Sequence, residues 1–229
     1  PGGGDNAFIL MDYQNPTYVY YAQYDRIYKS TDGGFSFPTR LDPMDGERGL
    51  FTSTGFLDNL DPNILYMGRK QVSRITDVRT SHKFENISNF SGTENINKIE
   101  QCTANGNIVY VSRGNKFYRT ENLKAPVVEW KEVALPFTGI VNDLATHPSN
   151  DKIVYIIIGS AVYKSSDKGN IWSDLDPGKS LPAIGFLEMV YDNSSDEGIY
   201  IGTGFGVFYK DKTLDQWIDY SNGLPAIPI

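Results

Sequence analysis

One cysteine, Cys102, and two histidines, His82 and His147, are all that this 229-residue sequence has of those two residue types. A disulfide framework within the chain is excluded, and Cys102 is expected on an inner strand as a small buried side chain. Positive charge is also in deficit. The net charge of -7 and pI near 4.9 argue against a nucleic-acid partner, because binding phosphates requires concentrated Lys and Arg. No apolar run approaches the ~18 residues of a membrane-spanning helix, so no membrane insertion is expected. Helical periodicity of useful length is missing too. There is no His-Glu-x-x-His, no Gly-x-Ser-x-Gly and no phosphate-binding glycine loop. No metal or other cofactor is expected.

What the chain has instead is a repeat. Tyr20, Tyr66, Tyr110, Tyr155 and Tyr200 stand 46, 44, 45 and 45 residues apart, each inside a short apolar run. A second run begins at Ile27, Val72, Phe117, Val162 and Val207, each 45 residues after the last. Some 10 to 13 residues further comes a large aromatic: Phe37, Phe84, Trp130, Trp172 and Trp217. The runs are short, β-branched and aromatic, and Gly, Pro, Asn and Asp separate them, as strands and hairpins require. A period near 45 fits a four-stranded propeller blade. The expected fold is therefore all-β, a β-propeller of four-stranded antiparallel blades. Five blades are visible, with units at 6–48, 49–94, 95–139, 140–184 and 185–229. The aromatic is expected on each outer strand, and the first inner strand over residues 7–12. Leu224-Pro225-Ala226-Ile227 repeats Leu181-Pro182-Ala183-Ile184, so the chain reads as part of a larger propeller in a longer polypeptide with further domains.

Two units carry a sharper pattern between the third and fourth strands. These are Ser30-Thr31-Asp32-Gly33-Gly34-Phe35-Ser36-Phe37 and Ser165-Ser166-Asp167-Lys168-Gly169-Asn170-Ile171-Trp172. Ser hydroxyl and Asp carboxylate accept backbone N–H bonds in a tight turn, Gly supplies positive φ, and the aromatic fills the space between strands. Ser30, Asp32, Gly34 and Phe37, with Ser165, Asp167, Gly169 and Trp172, are thus read as turn architecture and not as catalytic acids. The pattern resembles the Asp-box, or BNR repeat. With Asn15-Pro16-Thr17-Tyr18-Val19-Tyr20, Ile201-Gly202-Thr203-Gly204-Phe205-Gly206-Val207-Phe208 and Ser221-Asn222-Gly223-Leu224-Pro225, the whole chain resembles secreted bacterial proteins with BNR and sortilin-like propeller repeats. Among these are multidomain surface proteins of Bacteroidetes type. The resemblance implies an extracellular or cell-surface location in a bacterium. Xyloglucanases, sialidases, photosystem assembly factors and sorting receptors share it, so fold does not translate into function.

Ligands of propellers meet loops between blades and between second and third strands. Tyr24 and Arg26, Arg69, Arg113, Gly159-Ser160 and Phe205 fall in the second class. Asp45, Glu47 and Arg48, Pro136-Phe137-Thr138 and Asp176-Pro177-Gly178-Lys179 fall in the first. Exposed Tyr, Phe and Arg there suit sugar stacking or carboxylate recognition. Tyr24, Arg26, Asp45, Glu47, Arg48, Arg69, Arg113 and Phe205 are accordingly the candidate ligand-binding residues. A glycosidase needs two facing carboxylates, for which Asp5, Asp45 and Glu47 are candidates. Gly2-Gly3-Gly4-Asp5-Asn6-Ala7 is similar to the glycine-rich opening of xyloglucanases but has Ala7 where the resemblance implies the catalytic Asp, and the Arg-Ile-Pro of sialidases is missing. Asp42, Asp45 and Glu47 cluster oxygens of the kind calcium takes but read as a solvated acidic loop. His147-Pro148-Ser149-Asn150 reads as a turn. The expectation is a non-catalytic module for binding a glycan or protein, or for structural display. The alternatives are a glycoside hydrolase segment and an assembly or sorting factor that grips another protein.

Overall fold

The computed structural model describes residues 8–23, 26–43, 54–182, 186–191 and 197–223. Every regular element among them is a strand, and the strands form five four-stranded sheets. The first sheet is β1 (Phe8–Met11), β2 (Val19–Gln23), β3 (Arg26–Ser30) and β4 (Thr39–Arg40). The second is β5 (Thr54–Leu57), β6 (Leu65–Gly68), β7 (Val72–Thr76) and β8 (Lys83–Asn86). The third is β9 (Ile96–Gln101), β10 (Val109–Arg113), β11 (Lys116–Thr120) and β12 (Lys131–Val133). The fourth is β13 (Val141–Thr146), β14 (Val154–Ile158), β15 (Ala161–Ser165) and β16 (Ser173–Asp174). The fifth is β17 (Phe186–Tyr191), β18 (Ile199–Thr203), β19 (Gly206–Lys210) and β20 (Ile218–Asp219). Strands consecutive in sequence are hydrogen-bonded neighbours in every sheet.

The tyrosine period follows from one register used repeatedly. Tyr20 pairs with Lys29, Tyr66 with Arg74, Tyr155 with Lys164 and Tyr200 with Tyr209. Tyr20, Tyr66, Tyr110 and Tyr155 are at most 1% exposed, because side chains alternate across a strand and both faces of these central strands are covered.

Two compact units are formed, one by residues 1–101, 106–114 and 118–131, the other by 102–105, 115–117 and 132–229. In the first, Tyr20, Ala22 and Ile27 pack on Leu65, Met67 and Ile75 of the next sheet. Tyr66, Val72 and Ile87 likewise meet Ile99, Val109 and Val111. In the second, Tyr155, Ile157 and Val162 meet Ile199, Ile201 and Trp217. Sheet-to-sheet burial of this kind, at about 25 cal/mol per Å² of apolar surface, is the main favourable term.

A second recurrent device closes the turn after the first four inner strands. Asp12 accepts the N–H groups of Gln14 and Asn15, and Asp58 those of Leu60 and Asp61. His147 Nδ1 does the same for Ser149 and Asn150 at 3.2 and 3.1 Å, so the expected turn at His147 has a defined acceptor. Cys102 is not on an inner strand. It follows β9, is buried, and accepts the N–H groups of Ala104 and Asn105, the role of Asp12 and Asp58.

The aromatics also depart from expectation. Phe37, Trp130, Trp172 and Trp217 precede their outer strands, and only Phe84 lies within one. Their positions follow ring packing: Phe37 meets Tyr21 edge-on at 4.6 Å, and Trp172 Nε1 donates to the Ala134 carbonyl at 3.0 Å. The first inner strand begins at Phe8, residue 7 being outside the described residues.

Candidate ligand-binding cleft

The Ser-x-Asp-x-Gly turns are closed hydrogen-bond rings. Ser30 Oγ donates to Asp32 at 2.6 Å and accepts the N–H of Gly34 at 2.9 Å, while Asp32 accepts from the N–H and hydroxyl of Ser36. Bonds from Ser30 and then Ser36 pull the pKa of Asp32 down to about 2, the opposite of what a general acid needs. Ser165 and Asp167 repeat the ring with the N–H groups of Gly169 and Ile171. Gly34 and Gly169 adopt φ of 93° and 88°, a region that a Cβ disfavours.

The expected ligand residues are scattered. Tyr24, Asp45, Glu47 and Arg48, with Asp5, lie outside the described residues. Arg26 is exposed at the start of β3, and Phe205 is 69% exposed at the turn between β18 and β19. Arg69 and Arg113 are not exposed: they are 1% and 2% accessible. Arg113 donates to the carbonyls of Lys70, Ser91 and Gly92 and faces Glu94 at 3.3 Å. The Arg69 guanidinium lies 5.0 Å over the Phe84 ring. A loop position sets where the backbone runs, not which way a long side chain folds, and the two arginines turn inward, Arg113 to backbone carbonyls and Arg69 to an aromatic ring. Asp42, expected in a solvated acidic loop, is instead 6% exposed and engaged by the Arg40 guanidinium and the Ile27 N–H.

Three of the loop segments do converge, all in the second unit. Residues 137–142, the turn at Gly159-Ser160 with its flanks, and residues 174–181 line a cleft of about 580 Å³. Each segment is positioned by local chemistry. Gly159 sits at φ 59° with its N–H on Asn142 Oδ1 at 2.9 Å, tying the turn to β13. A Cβ at Gly139 would fall 2.6 Å from Ile158 Cγ2, so a side chain there would displace the Ile158 side chain from the cleft wall. Asp176, 7% exposed, organises the third segment: its carboxylate accepts the N–H and hydroxyl of Ser180 and the N–H of Leu181, and its carbonyl accepts the Lys179 N–H. Leu181 is thereby buried against the cleft.

The lining is apolar with a sparse polar margin. Phe137 and Ile140 are 64% and 49% exposed, and Ile158, Tyr163 and Leu181 complete the wall. Asp174, exposed on β16, accepts the Asp176 N–H at 2.8 Å. Burial, followed by the Asp174 charge, raises the pKa of Tyr163. No two carboxylates both unengaged by the backbone line this cleft among the described residues. Of the candidate ligand residues among the described ones, Arg26, Arg69, Arg113 and Phe205, none lines it. Ile140, Ile158, Tyr163 and Leu181 were missed. Their signal in the sequence is Phe137 and Ile140 standing in a short loop around Gly139, an apolar pair where a connection is ordinarily polar.

No known family profile matches the sequence, and no curated protein does. Solved structures do. An ancestral GH74 enzyme matches with a TM-score of 0.77 at 15% identity, over 99% of this chain and 32% of that one. Sqt1 from Chaetomium thermophilum matches at 0.68 and 12% identity, over 90% of this chain and 57% of its own. YCF48 bound to D1 peptide matches at 0.62 and 11% identity, over 96% and 69%. The chain thus spans about a third of the GH74 enzyme and between half and three quarters of the other two. Identities so low carry fold and nothing finer: with its five four-stranded antiparallel sheets, this chain has the β-propeller fold.

Proposed function

We propose that this chain is a non-catalytic β-propeller module of the Asp-box type, and that it binds a glycan or protein partner in the cleft of the second unit. One observation carries the reading. Loops of both ligand-facing classes meet around an apolar recess, while the carboxylates lining it serve the backbone: Asp176 holds Ser180 and Leu181, and Asp174 holds Asp176. Hydrolysis of a glycoside needs a carboxyl pair facing the scissile bond; binding needs shape, apolar area and a few polar groups. Neighbours in fold that grip peptides, YCF48 with D1 peptide and Sqt1 with the N-terminus of ribosomal protein L10, support a protein partner. We also propose that the module is displayed outside a bacterial cell as one part of a longer chain, as its resemblance to secreted repeat proteins implies.

The test is to incubate the protein with a panel of soluble polysaccharides and sialosides. No release of reducing sugar or sialic acid is expected. Turnover that disappears in Asp174→Asn, or in Asp45→Asn or Glu47→Gln, overturns the non-catalytic reading.

A further inference from the structure

We infer that the cleft receives an extended segment of a partner protein, with one bulky apolar side chain inserted beside Phe137, Ile140 and Leu181 and a lysine or arginine next to it facing Asp174. The inference rests on the binding-module reading and names its partner's chemistry.

The room available, about 580 Å³, lies within the ~300–1,000 Å³ of ordinary ligand sites. Its walls select among occupants. A saccharide presents hydroxyls in every direction, and each one buried without a partner carries a desolvation penalty. Ile140, Ile158 and Leu181 offer no such partner, whereas an aliphatic or aromatic side chain loses only water on entering. Phe137 and Ile140, more than 45% exposed, stand as an aromatic and aliphatic pair of the kind that forms the centre of protein interfaces.

The margin adds a fixed carboxylate and a backbone edge. The Asp174 carboxylate is exposed at the margin on a chain of net charge -7. Lys179 is the one cation among the described residues lining the cleft, and its long exposed stem lets the ammonium turn to solvent. A cationic neighbour of the inserted side chain therefore meets a fixed carboxylate and a movable ammonium. β16 is the outer strand of its sheet, hydrogen-bonded to β15 on one side and to no strand on the other among the described residues. Antiparallel geometry turns the N–H and C=O of one of its two residues outward. An extended segment can pair with that edge while its side chain enters the recess, the mode in which main-chain bonds give affinity and a pocket gives specificity.

The test is selection of displayed random nine-residue peptides on the wild-type protein, with depletion on the Ile140→Asp variant. Circular dichroism and the unfolding midpoint confirm that each variant folds, and Phe137→Ala, at a mostly exposed position, serves if Ile140→Asp does not. Enriched peptides are expected to share a bulky apolar residue with Lys or Arg within two positions. Synthesised, they should bind at least about tenfold more weakly to Phe137→Ala and Ile140→Asp, and about two- to fivefold more weakly to Asp174→Asn, with the latter effect shrinking in salt. Failure to enrich any peptide, or equal binding to the cleft variants, overturns the inference. A glycan array read in parallel separates the two levels. Retention of a glycan that is lost in Ile140→Asp overturns the peptide assignment and leaves a binding module, whereas cleavage of the glycan overturns both.

Discussion

His147 closes a turn that Asp12 and Asp58 close elsewhere, and it differs from them in losing its acceptor when it gains a proton. Nδ1 accepts two backbone N–H groups, so the folded state requires the neutral ring with its proton on Nε2. Burial pushes the His147 pKa below the ordinary 6.5, with Glu197 opposing and Lys164 reinforcing. A folded-state pKa below the unfolded one means that the unfolded chain binds more protons in acid. The stability from this group is present above pH 6.5 and is lost as pH falls through 6.5 toward the folded-state value. His82 is shifted in the same direction, by burial and then Lys29, and contributes to the same slope. His147→Asp restores a carboxylate acceptor, so its urea midpoint should vary less than that of the wild type between pH 7 and pH 5, with His82 leaving a residual slope. Equal slopes in the two proteins would show that the ring's acceptor role is energetically idle. His147→Ala should cost no more than about 1 kcal/mol at pH 7, because the two N–H groups belong to the exposed residues Ser149 and Asn150, where water can replace the ring.

At the scale of single turns and strands, the two Ser-x-Asp-x-Gly rings are expected to contribute by the same mechanism. Ser165 is 1% exposed and serves three bonds, to Asp167 and from the N–H groups of Asp167 and Gly169. Ser165→Ala leaves the Gly169 N–H, on a buried residue, without its acceptor and should cost about 1–3 kcal/mol by urea denaturation; a change below 0.5 kcal/mol would show that water replaces the hydroxyl. Thr120 and Asn122 build a similar ring without Asp or Gly, Thr120 Oγ1 donating to Asn122 and Asn122 accepting the Glu129 N–H, which is why the pattern is visible in only two units. This contrast shows what sequence can and cannot reveal here. Strand positions were legible because the buried tyrosines fix period and register together. The aromatics were set one or two residues late because ring packing, not strand pairing, decides where they stand. Arg69 and Arg113 are buried where their loop positions predict exposure, because spacing along a chain does not report the Phe84 ring under one guanidinium or the carbonyls that gather around the other. The cleft was legible as three loops and not as a site, since convergence depends on Gly139, Gly159 and Asp176 acting at a distance in sequence.

In three of the sheets, the residue paired with the repeat tyrosine joins its sheet to the next. Lys29 donates to the carbonyls of Arg79 and Thr80 in the second sheet's hairpin. Arg74 donates to Glu85 in its own sheet and to the carbonyls of Leu123 and Ala125 in the third. Lys164 meets Glu197 at 2.7 Å and lies over the Tyr155 ring. In the fifth sheet Tyr209 takes this place and packs with Tyr200 and Tyr220. Arg74 is the strongest case, 8% exposed with its Nε–H and one terminal NH2 group both engaged. Arg74→Met keeps an apolar stem against Tyr66 and deletes the donors, leaving two carbonyls of the next sheet without their side-chain partner. The expected loss is about 2–3 kcal/mol, because bonds from a charged donor exceed neutral ones. Since the groups are largely shielded from solvent, that loss should change little between 0.05 and 0.5 M salt, where a surface ion pair would fade. Urea unfolding with hydrogen exchange in the 118–131 segment can separate the outcomes. A lower midpoint with faster exchange there is the expected result; a loss that vanishes in salt would assign the effect to the half-exposed Glu85 and remove the latch from the account of how successive sheets are held.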